Sequence, residues 1–260
     1  MWSDRSDAES RLVSVVMTTC DRPQMLRIAL DCYAHQTYPN RELIVVDDGD
    51  RSPADARAIA AAGGRLLRVP SGTPLGAKLN LGVEQAQGPL CQKMDDDDWY
   101  APGFLEAMVR SLQASRKEVC RPTVAFLMPF LFFDVSRWEL RRSIGNNIPG
   151  ATLLFAREDW EGRRFRSLPQ DEDVWFFLDQ LGSGARALPV RALEMFLAVR
   201  HCGLSRDRGH TWTHQSSGQS LEDYLKDRPL HDKPPEALLP DWALAFYRQL
   251  HREILNPAPE

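Results

Sequence analysis

The stretch LCQKMDDDDWYAP, residues 90–102, decides the fold. Leu90 to Met94 reads as a short buried strand, and it ends on four consecutive carboxylates, Asp95 to Asp98. Adjacent carboxylates repel one another unless solvent, a proton or a cation offsets their charge. In extended chain, residues i and i+2 share a side, so Asp95 and Asp97 face one ligand. A hard divalent ion such as Mg2+ or Mn2+ takes such oxygens and fills its sphere with water and substrate phosphates. A solvated acidic turn is the alternative. The buried strand before the run and Trp99-Tyr100-Ala101-Pro102 after it weigh against that alternative.

Upstream, the same pattern repeats. Leu12 to Met17 (LVSVVM) is a β-branched run ending at Thr18-Thr19, followed by a helix start at Asp21 and Pro23 with Leu26, Ala29, Leu30 and Tyr33 at helical spacing. Glu42 to Val46 is a second strand, ending at Asp47-Asp48-Gly49; a helix over Ala54 to Ala62 and a third strand over Arg65 to Val69 follow. Gly76 to Ala86 and Pro102 to Leu112 are helices on either side of the Leu90 strand. This alternation predicts an α/β fold: a mostly parallel sheet with right-handed crossovers and helices on both faces. Ligands of such sheets bind beyond the carboxyl ends of the strands. The three polar clusters all follow strand ends, so they converge on one rim.

The second part is less regular. Thr123 to Phe133 reads as one longer strand, Ser143 to Gly150 as a loop and Thr152 to Phe155 as a short strand. Val174, Phe177, Leu178 and Leu181 form a helical stripe after Asp171-Glu172-Asp173. Met195 to Val199 is a strand ending at Arg200-His201, Leu204 to Gln219 is polar, and Asp241 to Ile254 is an amphipathic helix. The expected organisation is one domain over residues 11–215, with a first half (11–120) and a smaller second half (121–215). A proline-containing C-terminal tail with one helix occupies 216–260.

Composition narrows the function. The chain has 260 residues, 43% hydrophobic and 26% charged, as in an ordinary globular protein. It carries 32 basic and 36 acidic residues, and four of the acids form the single run, so there is no bulk basic field for nucleic acid. Arginines cluster at Arg137, Arg141, Arg142 and at Arg163, Arg164, Arg166, as a solvated surface or a site for an anionic acceptor. The five cysteines include no C-x-x-C pair and are expected as reduced thiols of a cytoplasmic protein. The opening residues lack the apolar stretch of a signal peptide. The longest apolar run, Val124 to Phe133, is half of the roughly 20 residues a bilayer span needs. No transmembrane segment is expected, and peripheral membrane contact stays open.

Each polar cluster has two readings. Asp47-Asp48-Gly49 is a strand-ending turn or a carboxylate that accepts from a nucleobase N–H. Thr18 and Asp21 cap a helix or join that site. Asp171-Glu172-Asp173 are first-turn acids favoured by the helix dipole, or they include a general base within reach of an acceptor hydroxyl. His201, His210 and His214 do not read as a three-histidine metal site; His201, after a strand, is the better single ligand.

Taken together, Val13-SVVMTTCDRP, Glu42-LIVVDDG, Gly76-AKLNLG with Ala86-Gln-Gly, Lys93-MDDDDWYAP, Gln170-DEDVWF and Leu197-AVRH with Thr211-Trp212 resemble a family 2 glycosyltransferase of the GT-A fold. The ordered series covers about residues 11–215, and it implies that residues 11–120 are the nucleotide-sugar-binding half and residues 121–215 the acceptor half. The resemblance implies sugar transfer from a nucleotide-diphosphate sugar, UDP first, to a hydroxyl with inversion, on a glycan, lipid-linked or small-molecule acceptor. It implies that Thr18, Asp21, Asp47, Asp48 and Lys78 bind the nucleotide, and that Asp95 and Asp96 contact the donor. Asp97, with Asp95 and His201, would hold Mn2+ or Mg2+. Asp173 would be the base, with Glu172 beside it. Two motifs depart from the family's usual form: Gly49 is followed by Asp50, and Leu79 stands where an Arg commonly precedes Asn-x-Gly, with Lys78 one residue earlier. A sugar-1-phosphate nucleotidyltransferase is disfavoured, since no glycine occurs before Gly49 to cradle phosphate. A degenerate GT-A domain serving as a binding scaffold is disfavoured by the intact acids.

Overall fold

In the computed structural model, residues 11–118, 122–145, 148–201 and 221–256 are described. The first half alternates as the sequence predicts: β1 (Val13–Thr19), α1 (Pro23–Ala34), β2 (Arg41–Asp47), α2 (Ala56–Ala61), β3 (Gly64–Arg68), α3 (Leu75–Glu84) and β4 (Leu90–Asp95). A two-residue strand, β5 (Trp99–Tyr100), and the long α4 (Phe104–Glu118) follow. The second half contains β6 (Thr123–Leu127), β7 (Leu131–Asp134), β8 (Glu139–Arg142), β9 (Leu154–Ala156), α5 (Arg157–Gly162), α6 (Glu172–Gly182), β10 (Arg186–Val190), β11 (Phe196–Arg200), α7 (Leu221–Leu225) and α8 (Asp241–Leu255).

The central sheet has seven strands in the order β10-β6-β9-β4-β1-β2-β3, and a second sheet of four runs β5-β11-β7-β8. Side chains of β1 alternate between two cores: Val13, Val15 and Met17 face α1, α4, the second sheet and α8, whereas Val16 faces α3, α5 and α6 with Ile44, Val83 and Phe155. Seating of α3 on β1 depends on a glycine, since a Cβ at Gly82 would lie 2.4 Å from Val16 Cγ1.

Four features differ from the sequence reading. The strand expected over Thr123 to Phe133 is two strands in two sheets. Pro129 lies between them and has no N–H to extend a ladder. β9 runs antiparallel to both neighbours, β4 and β6. β10, with Pro189 on the sheet edge, had no alternating pattern to announce it. On α6, Phe176, Phe177 and Gln180 face inward, while Val174 and Leu178, placed in the expected stripe, are 50% and 49% exposed. The amphipathic helix expected over Asp241 to Ile254 is α8, and its Ala243, Leu244, Tyr247 and Leu250 are buried in the larger core.

Among the described residues, Cys20, Cys32 and Cys91 are free thiols, and no helix is long and apolar enough to cross a membrane. Cys120, Cys202, His210, His214 and Trp212 lie outside the described residues.

Candidate active site

Strand register brings the polar clusters together. Thr18 pairs with Asp95 of β4, and Thr19 pairs with Asp47 of β2, so three strand ends stop at one level. Beyond them lie the starts of α1, α3 and α6.

The side toward β2 is already tied by hydrogen bonds. Asp21, in the left-handed region at φ 52°, accepts from the amides of Arg51 and Ser52 at 2.9 and 2.7 Å. The Ser52 amide bond, against the cost of burial, holds its carboxyl below the usual range. Asp47 is fully buried, accepts from the amides of Gly49 and Ala54, and pairs with Arg68; it shapes the turn. Asp48 pairs with Lys78 Nζ at 2.5 Å and accepts from the Gly72 amide at 3.1 Å. Lys78 also reaches the Thr19 carbonyl at 3.3 Å, so this cation sits beside Asp48. Thr18 is buried in β1 next to these groups.

Within the acidic run the four carboxylates have separate surroundings. Asp96 is buried and accepts from the Thr19 hydroxyl at 2.6 Å and from Arg22. Asp98 is buried against the second sheet, accepting from the Val199 amide at 2.8 Å, with Arg200 at 3.6 Å. Burial and the Asp97 charge raise its pKa well above the ordinary carboxyl value. Asp95 and Asp97 are the more open pair, as the i, i+2 alternation predicts. Ligand oxygens of Asp95, Asp97 and Asp98 lie within 4.8 Å of one another.

His201 stands beyond β11, 3 % exposed, with Nε2 3.8 Å from Asp97 Oδ2. Neither ring nitrogen has a hydrogen-bond partner among the described residues. A buried imidazole that faces a carboxylate and has no hydrogen-bond partner among the described residues is a costly arrangement. Carboxylate oxygens suit Mn2+ or Mg2+, so Asp95, Asp97 and Asp98 fit the ion that the resemblance implies, and His201 stands beside Asp97 outside that close group.

The opposite wall is the start of α6. Glu172 is buried, and Lys93 of β4 lies between it and the acidic run: Nζ is 2.6 Å from Asp95 Oδ1 and 3.8 Å from Glu172 Oε1. Burial alone would discharge Lys93, but Asp95 and Glu172 raise its pKa above the ordinary lysine value. Burial, only partly offset by Lys93, pushes Glu172 up to about 8. Asp173 is also raised, by burial against the same Lys93 attraction. It is less enclosed than Glu172 and lies over Gly150, where an added Cβ would come 1.4 Å from Asp173 Oδ2. Tyr100 links this wall to the acidic run: its hydroxyl accepts from the Asp95 amide at 2.8 Å and donates to the Ala151 carbonyl at 3.1 Å.

Sequence reasoning singled out neither Arg22, Lys93, Tyr100 nor Gly150. For Lys93 a signal existed: it is a charge within an apolar strand, one residue short of an acidic run. Gly150 had no signal beyond being a loop glycine.

The glycosyl transferase family 2 model matches residues 14–170, more than half of the sequence. The chain belongs to glycosyl transferase family 2. EpsH of Bacillus subtilis (strain 168), which carries a glycosyltransferase name, is 33% identical over 106 residues, 40% of this chain and 31% of EpsH. An uncharacterized glycosyltransferase of Haemophilus influenzae is 28% identical over 180 residues, 65% of this chain and 72% of that one. The chain spans about a third or less of the length of several other relatives it matches. Among solved structures, S. aureus TarS 1-349 with UDP superposes with a TM-score of 0.53 at 16% identity, covering 94% of this chain and 70% of that one. Mannosyltransferase PcManGT from Pyrobaculum calidifontis, in complex with GDP-Man and Mn2+, gives a TM-score of 0.51 at 15% identity, covering 74% and 57%. The α/β GT-A architecture expected of the family 2 member is the one found.

Proposed function

We propose that this family 2 member transfers a sugar from a nucleotide-diphosphate sugar to an acceptor hydroxyl, with inversion at the anomeric carbon. The observation that supports this best is the joining of the two walls: Lys93 contacts Asp95 on the donor side at 2.6 Å and faces Glu172 on the base side at 3.8 Å. The nucleoside is read by Asp21 and the Asp48–Lys78 pair. Asp47 holds the turn that presents them. UDP is the first choice of nucleotide, on the resemblance and on the UDP carried by TarS.

Asp97, Asp95 and His201 would hold Mn2+ or Mg2+, which supplies Lewis-acid stabilisation of the diphosphate leaving group. Asp173 receives the acceptor proton as the acceptor oxygen bonds to the anomeric carbon and the bond to the diphosphate breaks. A base must lie within hydrogen-bond reach of that hydroxyl. Asp173 is the more open acid of the pair. Glu172 and Lys93 position it and hold the charge balance behind it. An acceptor of the glycan, lipid-linked or small-molecule class approaches along α6.

A thermal-shift panel of UDP, GDP, dTDP and CMP, each with and without Mn2+, tests the donor half. A ligand binding only the native state at about 100 times its Kd adds roughly 2.7 kcal/mol. One diphosphate should raise Tm only with Mn2+. Absence of any nucleotide shift would overturn the reading.

A further inference from the structure

Arg22 contacts the middle of the acidic run, and it is shared unequally. Its Nη1 donates to Asp97 Oδ2 at 3.0 Å, and its Nη2 pairs with Asp96. Asp96 is buried and also bonded to Thr19, so the Nη2 contact is an anchor. Asp97 is partly open, and its Oδ2 lies 3.8 Å from His201 Nε2. One oxygen is therefore faced both by a guanidinium and by an imidazole that lacks any hydrogen-bond partner among the described residues. The Asp97 oxygen that faces His201 is thus the one that Arg22 holds.

The backbone at Arg22 has little freedom. Asp21 before it is in the left-handed region, and Pro23 after it opens α1, with the Arg22 carbonyl accepting from the Leu26 amide at 2.9 Å. Any rearrangement of Arg22 is confined to its long side chain, whose Nε is buried without a hydrogen-bond partner among the described residues.

We propose that Arg22 is a resident counter-cation of the acidic run: it neutralises Asp97 when no divalent ion is present and yields that oxygen when one enters, keeping its hold on Asp96. This rests on the reading of Asp97 and His201 as ion ligands. Like-charge repulsion within Asp95–Asp98 is thereby contained in the ion-free protein. The same contact holds down the affinity of the free protein for the ion, because the ion must displace a guanidinium that already matches the carboxylate.

The test uses Mn2+ alone, without nucleotide, titrated calorimetrically into the full chain as wild type, Arg22→Gln and Arg22→Lys, with circular dichroism to verify the fold. Arg22→Gln should bind Mn2+ about tenfold tighter, since one competing unit charge is removed. It should also melt lower than wild type without Mn2+ and show the larger Mn2+-induced rise in Tm. Arg22→Lys keeps a charge for Asp96 but not the forked reach to Asp97. It guards against a glutamine variant that fails to fold, and should bind Mn2+ severalfold tighter. Equal or weaker Mn2+ binding by the folded variants would overturn the proposal alone, leaving Arg22 as an anchor of Asp96. Absence of Mn2+ binding by wild type and variants, or binding unaffected by Asp97→Asn, would overturn the ion-site reading and the proposal with it.

Discussion

The Asp173 carboxylate rests on the α-carbon of Gly150, in space that any side chain at residue 150 would fill: a Cβ there would meet Oδ2 at 1.4 Å. The three atoms nearest that Cβ all belong to Asp173, and residue 150 is tied into a turn through the Leu153 amide while the next carbonyl, that of Ala151, is held by Tyr100. Gly150→Ala should therefore move the proposed base while sparing the donor side. Misplacing a reacting group by about 1 Å costs on the order of 10²-fold in rate. Steady-state kinetics should show kcat down by about that factor with the nucleotide Kd unchanged; an unaltered kcat would place the base elsewhere.

Asp173→Asn and Glu172→Gln should separate the two acids. Removal of a base typically costs about 10²–10⁴-fold, so Asp173→Asn should lose transfer and keep nucleotide binding. Full activity of that variant in a radiolabel transfer assay would refute its role.

Glu172 gives a pH signature in stability. Its folded pKa of about 8 exceeds its ordinary value of 4.5, so the native state holds a proton that the unfolded chain has released across that window. Stability from this group is full below about 4.5 and declines as pH rises toward 8. Thermal melts of Glu172→Gln between pH 5 and 8 should show a flatter decline than wild type. Parallel curves would show that Glu172 is not held protonated.

Ion removal should act through Asp97 and His201. His201→Ala should weaken Mn2+ binding in the presence of UDP, by about 10–100-fold if the imidazole is a ligand. An unchanged Mn2+ titration would leave His201 as a buried residue following β11.

The seat of α3 is a test of the fold. Gly82→Ala would push a methyl to within 2.4 Å of Val16 Cγ1. Overpacking of this kind costs about 1–3 kcal/mol. Urea unfolding should show a midpoint lowered by that free energy divided by the slope, with no change in the slope itself.

Much of the fold was legible because buried parallel strands are written as runs such as Ser14-Val15-Val16-Met17 and Leu43-Ile44-Val45-Val46, each ending in polar residues. That pattern also placed the acids of three strand ends on one rim. The direction of β9 was not legible, since three apolar residues carry no sign of parallel or antiparallel pairing. The inward face of α6 was misassigned because Phe176 and Phe177 are adjacent and Gln180 is buried, bonded to the carbonyls of Asp159 and Arg163. A hydrophobic stripe cannot anticipate a buried glutamine. The contacts of Arg22 and Gly150 span tens of residues and depend on tertiary closure, so local spacing carried no trace of them.

The insertion of Leu154–Ala156 between β4 and β6 has a consequence for recombining family members. β4 takes its outer hydrogen-bonding neighbour from residues beyond 150, in register Leu90↔Ala156 and Gln92↔Leu154. A gene fragment ending near residue 120 would leave that side of β4 as a bare apolar edge, prone to pair with another chain. Chimaeras that exchange acceptor specificity should therefore keep Leu154–Ala156 with the parent that contributes β4, and graft only the segments around it.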